Sequence, residues 1–177
     1  KTISSKCKSV NVDAIVLARS GSKGLPKKNI LEFCGKPLVA WTIEQCAASR
    51  YVNNVWVSSD SDEILKISRE YGARIIKRPS NLSSDYATSE SGWLHAIDHI
   101  EENYNKVEVV LAPQVTSPLR EVKDIEKGID VPWVEVEEST SVGSASITVR
   151  LSLDAKKDWK NNIFQNSRHA IIHITPD

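Results

Sequence analysis

The stretch VDAIVLARSGSKGLPKKN, residues 12–29, decides the fold that this chain is expected to adopt. Its first part, VDAIVLA (12–18), is short, apolar and rich in β-branched residues, which is typical of a buried central strand. Two glycines and four basic residues follow within the same stretch. A buried strand that ends in a glycine-rich, basic turn predicts an anion site at the carboxyl end of that strand.

Strands and helices alternate over the first 130 residues. NVWVSS (54–59), RII (74–76) and VEVVLA (107–112) are predicted strands, and helical patterns begin after Pro37, after Asp60, after Ser89 and near residue 121. This rhythm predicts an α/β domain with three layers, in which a mostly parallel sheet carries helices on both faces. We treat residues 1–177 as one domain.

The pattern weakens beyond about residue 130. SVGSASITV (141–149) is a candidate strand, and HAIIHI (169–174) is either a strand or part of a helix, because periodicity cannot decide over so few residues. The loops after the predicted strands carry the polar residues of interest. Because ligands of such sheets bind beyond the carboxyl ends of the strands, the glycine turn, SSD (58–60) and TSPLR (116–120) are expected to line one cleft.

Charge and composition exclude several classes of function. Lys plus Arg equals Asp plus Glu, 23 against 23, so no broad basic surface for nucleic acid is expected. No apolar run approaches about eighteen residues, so no membrane span is expected. The three cysteines are odd in number and widely spaced, which matches neither a disulfide framework nor a zinc site. We therefore expect a reducing, cytoplasmic environment.

The basic turn has the composition of a phosphate site. Arg19 can bind phosphate oxygens with two N–H groups, and Lys23 can act as a point charge. Residues 19–36 include five basic residues and one acid, Glu32. The glycine, lysine and serine spacing of a Walker A loop is absent, and so is the dinucleotide fingerprint. The alternative interpretation is a solvated basic loop without a ligand.

Other candidate clusters are weaker. His95 and His99 lie one helical turn apart but lack the glutamate of a metalloprotease motif, so a surface position is the better interpretation. His169 and His173 share that spacing without a third ligand. Asp60 and Glu63 are expected to cap the following helix. Because Asp60 also follows a strand, it remains a candidate for a functional role near a nucleotide.

LARSGSKGLPKKN (17–29) closely resembles the signature of the acylneuraminate cytidylyltransferases, the CMP-sialic acid synthetases. The resemblance continues in order through GKPLVAWTIEQ (35–45), VWVSSDSDEI (55–64), YGARIIKRPSNLSSDYATSES (71–91) and TSPLR (116–120), and it covers roughly residues 12–130. It implies a Rossmann-like nucleotidyltransferase fold that transfers CMP from CTP to the anomeric hydroxyl of a sialic acid and releases pyrophosphate. It also implies Mg²⁺ as cofactor and a homodimer.

The resemblance further implies a role for individual residues. The triphosphate of CTP is expected to contact Arg19, Ser22 and Lys23, with Arg19 and Lys23 as the catalytic cations. Lys28 and Asn29 match the pair that closes the signature near the nucleotide. Arg78 and Ser89 match positions that contact the cytosine or its ribose. Gln114, with Thr116 and Ser117 of the same loop, matches the position that faces the sugar acid.

Three departures from the family pattern leave alternatives open. Val115 stands where the family usually has proline, and Ser20 stands where glycine is commoner. The late Asp-x-Asp pair that binds magnesium in the family is absent, so the metal ligands are unknown. We interpret this absence, with the lack of any methionine, as residues missing from the sequence. The alternatives are transfer to legionaminic, pseudaminic or 3-deoxy-octulosonic acid, and a non-catalytic nucleotide-binding module.

Overall fold

A computed structural model describes residues 11–21, 24–84, 86–130, 147–150 and 170–174 of the chain. The main sheet within these residues has six strands. In chain order, the strands of the described part are Val12–Leu17 (β1), Glu32–Phe33 (β2), Lys36–Pro37 (β3), Val52–Ser59 (β4), Arg74–Lys77 (β5), Val109–Pro113 (β6), Ile147–Arg150 (β7) and Ala170–Ile174 (β8). The four strands predicted before residue 130 are confirmed as β1, β4, β5 and β6. Residues 147–149 of the candidate strand at 141–149 lie in β7, and residues 170–174 of HAIIHI form β8, while the rest of these two segments lies outside the described residues.

The sheet order is β5-β4-β1-β6-β8-β7, and β2 pairs with β3 in a separate antiparallel hairpin. Five neighbouring strands run parallel to one another: β5, β4, β1, β6 and β8. The sixth strand, β7, is antiparallel to β8. The chain leaves β1 for β4 on one side and later returns to β6 on the other. This reversal is the topological switch point at which doubly wound sheets bind ligands.

Four α-helices connect the strands within the described residues. They are Leu38–Ala47 (α1), Asp62–Glu70 (α2), Ser89–Asn103 (α3) and Val122–Asp130 (α4), and two short 3-10 helices cover Lys28–Ile30 and Ser80–Ser83. Thr88 caps α3, because its side chain accepts a hydrogen bond from the Ser91 N–H. Gly72 follows α2 with a φ of 88°, a conformation that glycine adopts without strain. None of these helices has the length and apolar character needed to cross a membrane.

Alternate residues of β1 face opposite layers of the domain. Val12, Ala14 and Val16 pack in one buried cluster with apolar residues of α1, α2 and α4. Ile15 packs in a second cluster with Trp93, Ile97 and Ile100 of α3. The sheet is therefore covered on both faces, as predicted, and β1 lies at its centre.

One local expectation needs correction, and one position of a helical apolar pattern is not fully buried. Ser61, not Asp60, is the N-cap of α2, since the Ser61 side chain accepts a hydrogen bond from the Ile64 N–H. Trp41 belongs to the apolar pattern of α1 but is only half-buried. Its indole N–H donates to the Phe33 carbonyl at 2.8 Å, so it fixes the β2–β3 hairpin against α1 and does not fill the core.

Candidate active site

The turn after β1 is fixed by hydrogen bonds to its backbone. The Ala18 N–H donates to the Ser58 carbonyl at 3.0 Å, which extends the pairing of β1 with β4 by one residue. Asn29 is buried, and its side-chain N–H donates to the Arg19 carbonyl at 2.9 Å. Asn29 thus fixes the backbone at the point from which the Arg19 side chain leaves the sheet. Of the predicted phosphate contacts, Ser22 and Lys23 lie outside the described residues.

Asp60 binds this turn from the end of β4. One carboxylate oxygen accepts from the Ser20 backbone N–H at 2.8 Å and the other accepts from the Ser20 hydroxyl at 2.5 Å. Burial acts to raise the pKa of Asp60, but the Ser20 hydrogen bonds and the charge of Arg78 outweigh it and hold the pKa below its usual value. Asp60 is therefore an ionised carboxylate whose hydrogen bonds join the end of β4 to the turn after β1.

Arg78 follows β5 at the same edge of the sheet. Its backbone N–H donates to the Ser59 carbonyl at 2.8 Å, and its side chain is 5% exposed. Burial lowers the pKa of Arg78; the Asp60 carboxylate opposes this change, and the charge of Arg19 adds to it. Its Nε and Nη2 atoms have no hydrogen-bond partner within the described residues. A buried guanidinium of this kind is poised to bind a hydrogen-bond acceptor supplied by a ligand.

The segment before α3 borders the two arginines. The Arg19 guanidinium donates to the Ser84 carbonyl at 3.3 Å, so it spans from the β1 turn to this segment. Ser89 is the first residue of α3 and is exposed. The structure therefore brings together Arg19, Asn29, Arg78 and the start of α3, which includes the position of Ser89.

Two of the basic residues between positions 19 and 36 form ion pairs with carboxylates. Lys27 forms an ion pair with Glu63 at 2.8 Å, and Lys36 forms one with Glu44. The Lys27 pair is well exposed, and pairs of this kind contribute about 1 kcal/mol or less to stability. Lys28 is half-buried in the 3-10 helix. Lys27 and Lys36 are therefore two cations of this region whose charge is offset by a described carboxylate.

The predicted sugar residues lie on the loop after β6, the strand beside β1. Gln114 and Thr116 are exposed, with the Thr116 hydroxyl 3.4 Å from the Gln114 side-chain oxygen. Ser117 is buried. Val115 is 4% exposed and packs in the core cluster of α1 and α4, so an apolar side chain occupies the place where the family usually has proline.

Arg120 and Gln45 hold this loop and were not predicted as site residues. The Arg120 guanidinium donates to the Gln114 carbonyl at 2.9 Å and to the Gln45 side-chain oxygen at 3.3 Å. The Gln45 side-chain N–H donates to the Pro118 carbonyl at 2.7 Å. Burial lowers the pKa of Arg120. Arg120 belongs to the TSPLR motif, whereas nothing in the pattern of α1 distinguishes Gln45.

The described residues contain no group of three His, Cys, Asp or Glu side chains that could hold a metal ion. His95 and His99 are both half-buried, so the expected surface position holds only in part. Burial, with the charges of His99 and Arg78, lowers the pKa of His95. His169 lies outside the described residues, and the side chain of His173 is not described.

Three comparisons with known proteins agree with this geometry. Residues 14–149 match the family model described as Cytidylyltransferase. N-acylneuraminate cytidylyltransferase A of Danio rerio is 29% identical over 178 residues, which cover 90% of this chain and 40% of that protein. A pseudaminic acid cytidylyltransferase of Campylobacter jejuni is 40% identical over 114 residues, which cover 64% of this chain and 49% of that protein.

A solved structure shows the same fold. It is a CMP:2-keto-3-deoxy-manno-octonic acid synthetase complexed with CTP, with a TM-score of 0.57 and 20% identity, and the match covers 67% of this chain and 46% of that one. The chain thus spans less than half the length of each of these relatives.

Proposed function

This chain belongs to the cytidylyltransferase family, and we propose that it transfers CMP from CTP to the anomeric hydroxyl of a sialic acid or a related nonulosonic acid. The observation that carries the proposal is the buried Arg78 guanidinium beside the Arg19 turn at the carboxyl edge of the sheet. Its Nε and Nη2 atoms have no partner among the residues that the structure describes. Two arginines at the carboxyl edge of a parallel sheet suit a nucleoside triphosphate.

The proposed reaction is a substitution at the α-phosphorus of CTP. The anomeric oxygen forms a bond to that phosphorus, the bond to the oxygen bridging the α- and β-phosphates breaks, and pyrophosphate leaves. The proton of the hydroxyl passes to bulk water, so that atoms and charge balance. Such a transfer depends mainly on positioning and on the stabilisation of spread negative charge. Arg19 and Lys23 are proposed to supply that charge, and the hydrogen bonds of Asn29 and Asp60 support the rigid turn that this requires.

The two substrates are proposed to occupy neighbouring strand ends. Arg78 and Ser89 would contact the cytosine or the ribose, and Lys28 and Asn29 would lie near the nucleotide. Gln114, Thr116 and Ser117 would face the sugar acid. Because β1 and β6 are parallel neighbours, the β1 turn and the loop after β6 leave the sheet at the same edge, which supports this division.

A second candidate substrate comes from the comparisons. Identity to the pseudaminic acid enzyme is 40% over 114 residues, and identity to an N-acylneuraminate cytidylyltransferase of Escherichia coli is 41% over 108 residues. The two matches are equally strong over a similar length of the chain, so pseudaminic acid is tested as an acceptor beside sialic acid.

We keep Mg²⁺ as part of the proposal, although the described residues provide no ligand set for it. Asp60 is an acidic side chain held against the β1 turn, and both of its oxygens accept hydrogen bonds from Ser20. No step of the proposed reaction is therefore assigned to the ion. Omission of Mg²⁺ is expected to abolish turnover, and EDTA followed by added Mg²⁺ checks this by loss and recovery of pyrophosphate release.

A homodimer and a cytoplasmic location complete the proposal. The homodimer follows from family membership, and analytical ultracentrifugation tests it. Two of the three cysteines, Cys34 and Cys46, are free thiols, one exposed and one buried, which suits a reducing compartment.

The decisive experiment measures pyrophosphate release with CTP, Mg²⁺ and N-acetylneuraminic acid, with pseudaminic, legionaminic and 3-deoxy-octulosonic acids in parallel. We expect release that requires both CTP and one of these acids. Arg19→Ala is expected to lower the rate by roughly 100-fold or more, the typical loss for one charge-stabilising donor. Lys27→Ala is the matched control, because Lys27 lies on the same turn but pairs with Glu63, and it should change the rate by less than about twofold.

Two results would contradict the proposal. Binding of CTP without pyrophosphate release with any acid would favour the non-catalytic module. Equal losses in Arg19→Ala and Lys27→Ala would show that the turn acts only through its overall charge.

A further inference from the structure

Gly92 lies on α3 at the point where that helix contacts Arg78. A Cβ atom added at Gly92 would lie 2.8 Å from Arg78 Nη1 and 3.1 Å and 3.4 Å from the two δ carbons of Leu17. The first distance is shorter than a van der Waals contact allows. Gly92 is buried in the first turn of the helix, and its φ is not positive, so the backbone itself does not require glycine. The neighbouring side chains are what exclude a larger residue.

Glycine at this position has a cost to the helix. Alanine would stabilise a helix interior by up to about 1 kcal/mol relative to glycine. The backbone conformation does not require glycine at this position. The presence of glycine is therefore explained by the space that a side chain would otherwise fill. Here that space is occupied by one terminal nitrogen of the Arg78 guanidinium.

The unpaired atoms of Arg78 form one edge of the guanidinium. Nη1 lies against Gly92, whereas Nε and Nη2, the atoms without a partner in the described part of the chain, form the side-on edge that binds two acceptor atoms at once. The orientation of this edge depends on where Nη1 lies. Rotation or withdrawal of the group by an ångström would misplace both N–H groups together.

We propose that Gly92 is a positioning residue for the nucleotide site: its missing side chain allows the Arg78 guanidinium to lie against α3 with the Nε–Nη2 edge directed to acceptor atoms of CTP. This inference rests on the proposed function, since it assumes that CTP is the ligand of Arg78. Gly92 does not itself touch the nucleotide and acts through Arg78.

The substitution Gly92→Ala separates this role from a purely structural one. The atom that the new Cβ meets most closely is the far end of a flexible side chain, so the guanidinium can move while the fold remains. Thermal unfolding without nucleotide should therefore occur at the native temperature or above it. CTP binding should weaken by roughly tenfold or more, the loss expected for a displaced charge-assisted hydrogen bond. A glycine required only for packing would give the opposite pattern, with a lower unfolding temperature and unchanged affinity.

The test is a double-mutant cycle followed by calorimetric titration with CTP. Native chain, Gly92→Ala, Arg78→Ala and the double variant are compared, with Asp98→Ala as control for a substitution on the exposed side of α3. Because Gly92 acts through Arg78, the double variant should bind CTP no more weakly than Arg78→Ala alone. Asp98→Ala should bind as the native chain does.

The possible outcomes test the inference about Gly92 and the proposed function separately. Failure of the native chain to bind CTP would overturn the proposed function. Native binding together with undiminished affinity in Gly92→Ala would overturn the inference, as would additive losses in the double variant. If Gly92→Ala does not fold, Leu17→Val/Gly92→Ala removes the second contact, and its affinity is compared with that of Leu17→Val.

Discussion

Ser20 and Asp60 are separated by 40 residues in sequence, yet their side chains hold two strand ends together. Sequence spacing assigned Asp60 to the cap of α2, because Asp60 and Ser61 are both good capping residues and the spacing cannot choose between them. The structure uses Ser61 for the local hydrogen bond and leaves Asp60 for the distant one. A contact of that range leaves no periodic signal, which is why this part of the site could not be predicted.

The lowered pKa of Asp60 predicts a specific pH dependence of stability. A carboxyl whose pKa is lower in the folded than in the unfolded chain stabilises the fold above the unfolded pKa, roughly pH 4, and this contribution is lost as pH falls through the folded value. Asp60→Asn should therefore reduce the loss of stability on acidification, measured by urea unfolding between about pH 3 and pH 6. Ser20→Ala should have a smaller effect, because the Ser20 backbone N–H still donates. An Asp60→Asn chain with the native pH profile would contradict the prediction.

At the level of elements, hydrophobic periodicity was sufficient for the four strands of the main sheet and the four α-helices up to residue 130, but it did not predict the β2–β3 hairpin. Buried β-branched runs and helical stripes are local signals, and β1, β4, β5 and β6 lie where they predict. The pairing of β8 between β6 and β7 joins segments that are distant in sequence, so no local pattern specifies it. Trp41 shows a related limit, because a helical stripe does not reveal that a hairpin covers one of its positions.

The loop after β6 is held by α1, which predicts a role for Gln45 in acceptor binding. Gln45 donates to the Pro118 carbonyl and accepts from Arg120, which in turn binds the Gln114 carbonyl. Gln45→Ala should raise the KM for the sugar acid by roughly three- to tenfold, as expected for one lost hydrogen bond, while the Kd for CTP changes by less than about twofold. Steady-state kinetics and CTP titration check the two values.

The matched control for Gln45→Ala is Glu44→Ala, which removes the adjacent, exposed side chain of the same helix. The Glu44 carboxylate pairs with Lys36 and makes no contact with the loop after β6 that the structure describes. A Gln45→Ala chain with weaker CTP binding and a native KM for the acid would reverse the assignment of the two substrate subsites.

Across the whole molecule, stability and ligand binding lie at opposite ends of β1. Asp13 is 1% exposed near the amino end, and its carboxylate accepts from Asn11 at 2.9 Å, Asn54 at 2.8 Å and the Trp56 indole at 3.0 Å. Leu17, four residues further and roughly 13 Å away, begins the cleft. The apolar pattern placed β1 in the core, but the polar cluster that fixes its register with β4 depends on side chains 41 and 43 residues away.

Asp13→Ala is expected to destabilise the chain without impairing the site. It leaves the Trp56 indole N–H and the Asn54 amide unpaired, which should lower the free energy of unfolding by about 2–4 kcal/mol. Urea unfolding measures this loss. The Kd for CTP, measured well below the unfolding midpoint, should stay within about twofold of the native value. An equal fall in affinity would show that the two ends of the strand are coupled.

Cys46 lies on α1 beside Gln45, and burial raises the pKa of its thiol to about 12. A protonated, covered thiol does not react with alkylating reagents until α1 separates from its neighbours. Cys34 is exposed on the hairpin and should react at the rate of an accessible thiol. Mass spectrometry of the two peptides after timed alkylation would therefore report how often α1 opens in the native chain, with Cys34 as internal reference. Bound acceptor should slow the labelling of Cys46 alone, so the rate of a chemical modification would report occupancy of the sugar subsite without an added probe.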